Sequence, residues 1–550
     1  MTGPAPAGAP EPAAPHAHHD RRWLILPVLC LSVFLVVVDN TIVNVALPSL
    51  SRDLGASTTQ LQWIVDAYSL AFAGLLLAGG GIGDRLGRKR VMQAGLVFFG
   101  IFSVLAAESR TTGQLISARA LMGVAAAAIF PATLAILTEV FTDPSERQKA
   151  LGIWGATSGI AVAFGPIVGG ALLEHFWFGS IFLVNVPIVA ATVLGGQLLI
   201  PRLDRPAARR FDTPGVLVST VGVTLLVLAI IQGPQWGWAS PATLGCFAAA
   251  ALILAAFTLL ELRTAEPLLD VRVFALPRFT AGAAAISVQF FCLFGFIFVV
   301  TQYFQFVKGY GTLSAGVHTL PFAVVSAVVT PVGAVLALRV GIRPVVTVGL
   351  VGMAAGLVLA GTTMTPQAAY VGPIVTAMVV LAFGFSLITA PSTEAVMGSL
   401  APEQVGAGAA VNNTTRELGG TLGVAVLGSV FASAYAPRVS RVLTPFPVPA
   451  PARAAARESV AAALAVVGHA PAAVQPTLRV GIFAAFGSGL RAACLVGAAV
   501  AVVGAVVAAL LLPGRSGAAA ETAAGADADA DDDEAAAAGD ADPGAVSPAC

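Results

Sequence analysis

The stretch LAFAGLLLAGGGIGDRLGRKRVMQAGLVFFGIF, Leu70–Phe102, passes from an apolar run through a turn crowded with charge and back into an apolar run. Asp84, Arg85, Arg88, Lys89 and Arg90 all fall in the turn, and no charged face runs along either arm. A soluble helical hairpin keeps a polar stripe at helical spacing. Arms without one read as two membrane-spanning helices joined by a turn that stays in water.

The rest of the chain agrees. Of 550 residues, 57% are apolar and 11% charged, and the mean hydropathy is +0.87. A large soluble α/β enzyme would need period-two strands and charged helix faces, and the chain has neither. The fold class expected is therefore an all-α membrane protein, not an enzyme. A net charge of zero offers no surplus to attract nucleic acid. Cys30, Cys246, Cys292, Cys494 and Cys550 are scattered without CxxC spacing, so no metal or cofactor is expected. His16, His18 and His19 read as part of a solvated segment. The chain contains no GxxxxGK[ST], so ATP is not expected as a partner. GIGDRLG, Gly81–Gly87, fits a loose dinucleotide pattern but follows an apolar helix rather than a strand.

Apolar runs long enough to cross about 30 Å of hydrocarbon fall near residues 24–47, 60–82, 91–107, 114–138, 149–172, 178–200, 213–233, 241–262, 279–301, 314–338, 344–362, 368–392, 406–433 and 482–512. Fourteen spans return both termini to one side. Short loops on that side hold Arg85, Arg88, Lys89, Arg90, Arg147, Lys149, Arg202, Arg205, Arg339 and Arg343, against Arg52, Arg110 and Lys308 on the other. The excess of bases predicts cytoplasmic termini in a bacterial plasma membrane. The expected organisation is a disordered tail over 1–22, a six-helix bundle over 23–200 and an inserted helix pair over 201–278. A second six-helix bundle over 279–512 carries a long external loop at 434–481, and an acidic disordered tail occupies 513–550. Arg85, Gly87 and Lys89 recur as Arg339, Gly341 and Arg343 at an offset of 254 positions (341 − 87), although Leu338 replaces Asp84. Such a repeat suits parallel halves of a transporter.

The order of Gly80, Ile82, Asp84, Arg85, Gly87, Arg88 and Lys89 resembles the inter-helix motif of the major facilitator superfamily. LISARALMGVAAA from Leu115, with Arg119 and Gly123, is similar to its fourth-helix motif. GIAVAFGPIVGG, Gly159–Gly170, is similar to its antiporter motif through Gly159, Gly165, Pro166, Gly169 and Gly170. DNTIVNVALP, Asp39–Pro48, and NNTTRELGGTLGVAVLG, Asn412–Gly428, resemble helices one and thirteen of the fourteen-helix drug:proton antiporter branch, with Glu417 where that branch leads one to expect glutamine. The resemblance covers about 24–512. It implies a conformational-switch turn at Gly80, Asp84, Arg85, Gly87, Arg88 and Lys89, a bend at Gly165-Pro166 that bars leak, and multidrug efflux.

The charges can be placed by helix rise. Asp39 lies about 13 Å from the outer end of its span, and Asp66 and Arg119 each about 10 Å deep. The three are expected on one shelf, facing the bundle interior or a water-filled cavity. Arg416 and Glu417 fall close to mid-membrane. Asp39, Asp66, Arg119, Arg416 and Glu417 are therefore the proton-coupling candidates. Asn40, Asn44, Gln289, Phe294, Gln302 and Tyr303 are the candidates for lining a cavity for a drug-sized ligand. The function expected is proton-coupled antiport by a monomer, exporting amphipathic organic compounds, with the lipid bilayer as its other partner. Proton-coupled uptake and a non-transporting sensor or scaffold are the alternatives.

Overall fold

The structure, a computed structural model, describes residues 16–141, 143–201, 212–264, 271–400 and 405–512. The expected acidic tail lies outside the described residues, as do the surroundings of Gly80, Asp84 and Gly159. The described chain is all helical: α1 (His16–Asp53), α2 (Thr58–Leu86), α3 (Arg88–Ala107), α4 (Thr112–Val140), α5 (Pro144–His175), α6 (Ser180–Leu183), α7 (Asn185–Leu199), α8 (Thr213–Trp236) and α9 (Pro241–Arg263) come first. Then follow α10 (Pro277–Gln302), α11 (Thr312–Val317), α12 (Leu320–Val340), α13 (Ile342–Thr363), α14 (Val375–Met397), α15 (Val405–Leu443), α16 (Ala450–Glu458), α17 (Val460–His469) and α18 (Gln475–Leu511). Among the described residues, 12 helices are long and apolar enough to cross a membrane. The helices α2 and α5, with 29 and 32 residues, stand beside them in length.

Two expected boundaries move. α1 begins at His16, so the end of the tail expected over 1–22 is instead the first turns of α1, because extending a formed helix is far easier than starting one. The loop expected over 434–481 shortens to 444–474 and carries α16 and α17. Tyr435, Val439 and Leu443, spaced four apart and fully buried, continue α15 by one packed stripe.

Packing sorts the helices into two groups. α1 packs on α5 and α7, and α4 on α2 and α3; α10 packs on α15 and α18, and α13 on α14 and α18. α8 and α9 pair with each other, and α8 also lies against α2 and α15, one helix from each group. Water gives no drive for helices to associate inside lipid, so close backbone approach carries the packing. Gly165 and Gly169 of α5 meet Thr41 and Ile42 of α1, while Gly419 and Gly423 of α15 meet Ser287 and Phe291 of α10. These glycines again stand 254 positions apart (419 − 165).

The charged turn is tighter than the sequence implies. Only Gly87 interrupts the helices, with φ 94°, and Gly341 does the same between α12 and α13 with φ 96°. Residues with a Cβ are excluded from such a backbone conformation, which accounts for glycine at both turns.

Candidate functional site

At the centre of the first group, Asp39 of α1 forms an ion pair with Arg119 of α4, and both side chains have 0% exposure. Asn185, the first residue of α7, donates from Nδ2 to Asp39 Oδ1 at 2.8 Å and to Ser103 Oγ at 3.2 Å. Arg119 Nε donates to the Ile64 carbonyl at 3.2 Å, and its guanidinium lies 4.2 Å over the Tyr68 ring. Tyr68 is itself fixed by a 3.1 Å bond from its hydroxyl to the Val36 carbonyl. Two charges buried this deeply need each other and their hydrogen bonds, since either alone bears an uncompensated desolvation cost.

Asp66 does not join this cluster. The turn of α2 that meets Arg119 presents Ile64 and Tyr68, whereas Asp66 follows Gln62 and precedes Leu70 at four-residue spacing. Gln62 Nε2 donates to the Val424 and Ala425 carbonyls of α15, and Leu70 packs with Val227 and Ile231 of α8. Asp66 therefore faces the seam of α2, α8 and α15, fully buried, with neither carboxyl oxygen partnered among the described residues. Asp66 therefore lies on a different face of α2 from the one that meets Arg119, because a helix turns about 100° per residue and position along the axis does not fix direction.

A second polar locus spans the two groups. Asn40 Nδ2 donates to Glu417 Oε2 at 3.4 Å, joining α1 to α15. Arg416 turns the other way, with its guanidinium 5.4 Å from the Phe290 ring and Nη2 donating to Thr393 Oγ1 at 3.4 Å. Gln289 donates to the Phe385 carbonyl at 2.8 Å and to Thr389 Oγ1 at 2.5 Å. Phe290 stacks on Phe294, and Phe385 meets both Phe290 and Phe322 edge-on or tilted. These four rings are only partly buried. Asn44 donates to the Asn40 carbonyl at 3.2 Å. Gln302 and Tyr303, expected to line the cavity, are 2% and 1% exposed. Gln302 bonds back to the Phe298 carbonyl, and Tyr303 bonds the Thr365 carbonyl and packs on Phe304 and Phe486. They belong to packing near the end of α10, where the apolar run continues past its expected stop at 301.

At the end that carries the α1–α2 and α5–α6 connections, the two groups are pressed together. Thr312 Oγ1 donates to the Gly170 carbonyl at 2.9 Å and Gln305 Nε2 to the Val45 carbonyl at 2.8 Å. A Cβ on Gly316 would stand 2.3 Å from the Pro166 carbonyl oxygen, and one on Gly170 2.7 Å from Leu313 Cα. α16 and α17 cover this end: Thr58 Oγ1 donates to the Glu458 carbonyl at 2.7 Å, and the Ser51 and Ser459 hydroxyls are 2.8 Å apart. At the opposite, basic end, Arg88 Nη1 bonds Glu139 Oε2 at 3.2 Å, Lys89 bonds the Gln197 and Ile200 carbonyls, and Arg22 pairs with Glu146 at 2.9 Å. Arg85 is exposed there. The contacts just named lie within the first group.

Residues 29–424 match the model of the Major Facilitator Superfamily. The chain belongs to that superfamily. It is 37% identical over 489 residues to the multidrug efflux pump LfrA of Mycolicibacterium smegmatis, an alignment covering 88% of this chain and 96% of that one. It is 38% identical to the puromycin resistance protein pur8 of Streptomyces alboniger, over 78% of this chain and 85% of that one. The tetracenomycin C resistance and export protein of Streptomyces glaucescens is 33% identical, with 89% and 91% covered. Among solved structures, a bacterial homologue of the human lysosomal transporter Spinster, inward-facing and unoccupied, superimposes with a TM-score of 0.62 at 16% identity, over 90% of this chain and 99% of that one. That likeness concerns the fold alone.

Read as a major facilitator protein, the chain is a multi-pass membrane transporter rather than an enzyme. Sequence reasoning found Asp39 and Arg119 but missed Asn185, Ser103 and Tyr68, which complete their shell. Asn185, an amide inside the sixth apolar run, was the available signal. Ser103 carried none, since a serine hydroxyl in a span most often bonds its own helix, and Tyr68 reads in an apolar run as a packing aromatic.

Proposed function

We propose that this protein is a proton-driven exporter of amphipathic organic compounds. The reading places fourteen spans in two six-helix groups with α8 and α9 inserted between them, both termini on the cytoplasmic face of a bacterial plasma membrane, and one chain as the working unit. The observation that carries it is the fully buried Asp39–Arg119 pair in a chain whose relatives are named as efflux and resistance proteins. In this reading the basic end is cytoplasmic and the pressed-together end external.

Protonation of Asp39 removes the negative member of the pair and frees Arg119 to lean on the Ile64 carbonyl and the Tyr68 ring alone. The contact between α1 and α4 loosens, and since α1 also carries Asn40 and packs on α5, the change reaches both the substrate locus and the external closure. Asp66 is a second candidate proton carrier, on the seam where α8 bridges the groups. Arg85, Arg88 and Lys89 hold the turn between α2 and α3 against its neighbours.

The driving force sets the test. A proton entering through about 100 mV releases about 2.3 kcal/mol, and each pH unit adds about 1.4 kcal/mol. A neutral substrate exchanged for one proton uses both components, whereas a monocation exchanged for one proton moves no net charge and uses the pH component alone. Reconstitution in liposomes, with pH difference and potential imposed separately, should therefore give ethidium movement that follows the pH difference. Asp39→Asn should abolish driven movement. Equal rates with the gradient collapsed refute antiport, and a gradient that drives accumulation on the proton-source side's opposite face identifies uptake.

A further inference from the structure

Along α2 the polar residues Thr59, Gln62, Asp66 and Ser69 recur at intervals of three, four and three positions, which sets them in one stripe on one side of the helix. The stripe runs about 15 Å at 1.5 Å per residue, from the end that carries the α1–α2 connection toward the middle of the span. Its members are between 0% and 7% exposed. At its mouth Gln235 of α8, which is exposed, donates to Thr59 Oγ1 at 3.1 Å. Farther in, Gln62 Nε2 donates to the Val424 carbonyl at 3.3 Å, the Ala425 carbonyl at 2.9 Å and Ser429 Oγ at 3.3 Å, and Ser429 in turn donates to the Ile230 carbonyl of α8. At the inner end Ser69 Oγ donates to Asn40 Oδ1 at 3.5 Å, and Asn40 follows Asp39 on α1. Gln62 Oε1, both carboxyl oxygens of Asp66 and the hydroxyl of Thr421, one turn along α15 from Ala425, have no hydrogen-bond partner among the described residues. Buried polar atoms that the protein does not satisfy are met by water.

We propose that this stripe is a proton passage from the pressed-together end to Asp66, separate from the route of the substrate, and that the inserted helix α8 is its wall. The inference rests on the antiport reading and names where its proton enters. Without α8 the seam of α2 and α15 would face lipid, where an ionisable side chain is costly. Val227 and Ile231 of α8, both 0% exposed, cover it together with Leu70 and Ala425. The contacts that close this end to an organic molecule involve α1, α5 and residues 305–316, and the seam is not among them. A file of single waters passes a proton and excludes anything larger. An amide does not carry the proton; Gln62 orients the water that does. Asp66 as carboxylate takes a proton from the water on its outer side, becomes the neutral acid, and yields the proton to the water on its inner side, where Ser69 leads to the α1 segment that holds Asp39. The charged groups facing this path are few. α8 carries none. α15 brings Glu417 and the neighbouring Arg416, which attract each other, at the level of Asn40. α1 brings Asp39, held by Arg119 of α4. At the mouth α16 brings Glu458, exposed, whose carbonyl accepts from Thr58.

Proteoliposomes holding the full chain read two rates in one preparation. The first is ethidium movement driven by an imposed pH difference. The second is exchange of labelled for unlabelled ethidium at equal concentrations and no gradient, which cycles the loaded protein without turning over the proton. Gln62→Leu should lower the driven rate roughly tenfold or more while leaving exchange intact. Gln62→Asn, which keeps an amide, should recover much of the driven rate. Acidifying both sides by about one pH unit at the same pH difference should bring Gln62→Leu back toward wild type, because a slowed supply of protons is proportional to their concentration. Val227→Trp, which fills the seam from the α8 side, should give the same split between the two rates. Loss of both rates together in Gln62→Leu, as a packing defect would cause, or loss of neither, would overturn the passage, and normal driven movement in Val227→Trp would remove α8 from it. Antiport itself is read from the wild-type protein with the gradient collapsed, so its failure is distinct from failure of the passage, which is read from the variants.

Discussion

Removing one member of the Asp39–Arg119 pair should cost more than removing both. Asp39→Asn keeps the side-chain shape and the contact with Asn185 but leaves Arg119 as a cation at 0% exposure, held by one main-chain carbonyl and the Tyr68 ring, with Nη2 unpartnered. Breaking a buried ion pair on one side costs about 3–5 kcal/mol. Arg119→Gln strands the carboxylate instead and should cost a similar amount. In the double variant neither charge is left alone. What remains lost is the bond to the Ile64 carbonyl, about 1 kcal/mol, and the cation–ring contact, about 1–2 kcal/mol. The double loss, about 2–3 kcal/mol, should therefore fall short of the summed single losses, about 6–10 kcal/mol, by about 3 kcal/mol or more, at or above the top of the range usual for residues in contact. Unfolding in mixed micelles, titrated with a denaturing detergent and followed by tryptophan emission, measures all four corners of the cycle. Additive losses would show that the two charges are screened from each other, and the pair could not then serve as the coupling element.

Two further perturbations test the architecture. A Cβ on Gly316 would stand 2.3 Å from the Pro166 carbonyl oxygen, so Gly316→Val should hold the external end open. Relief by separation rather than overpacking strain, about 1–3 kcal/mol, corresponds to a roughly 5- to 150-fold shift in the conformational equilibrium. Spin labels at Arg110→Cys and Val371→Cys, one on each group, should report a longer distance; an unchanged distance with normal transport would refute the gate. Gly87→Ala and Gly341→Ala, at φ 94° and 96°, should each destabilise the protein by about 1–3 kcal/mol, read from the same detergent titration, and equal, small losses for alanines placed at Gly113 and Gly87 would contradict the turn geometry.

Hydropathy and the placing of arginines made the membrane class readable, because both follow from bulk transfer energies that need no coordinates. The pairing of Asp39 with Arg119 was also within reach, since two charges at matching depth on nearby helices have few other partners. Direction around the helix axis was not. Helix rise puts Asp66 level with them, but it looks toward α8 and α15, and only the contacts of Gln62 and Leu70 reveal it. Gln302 and Tyr303 have the chemistry of a cavity wall yet serve packing, because the irregular turn over Tyr303–Val307 carries them inward. The loop expected over 434–481 was overestimated at both ends, since alanine-rich sequence with occasional arginine looks loop-like until the buried stripe through Tyr435, Val439 and Leu443 is seen.

The closure between the two groups is fastened by main-chain carbonyls, hydroxyls and glycine contacts, and among the described residues no ion pair joins the groups there. A seal of that kind responds little to dissolved ions, because screening weakens charges and leaves van der Waals fit untouched. In the proposed orientation this end faces the surroundings, a medium whose salinity the cell does not govern. The ion pairs named above lie at the core and at the basic end, so the proposed cycle should run alike in dilute water and in brine.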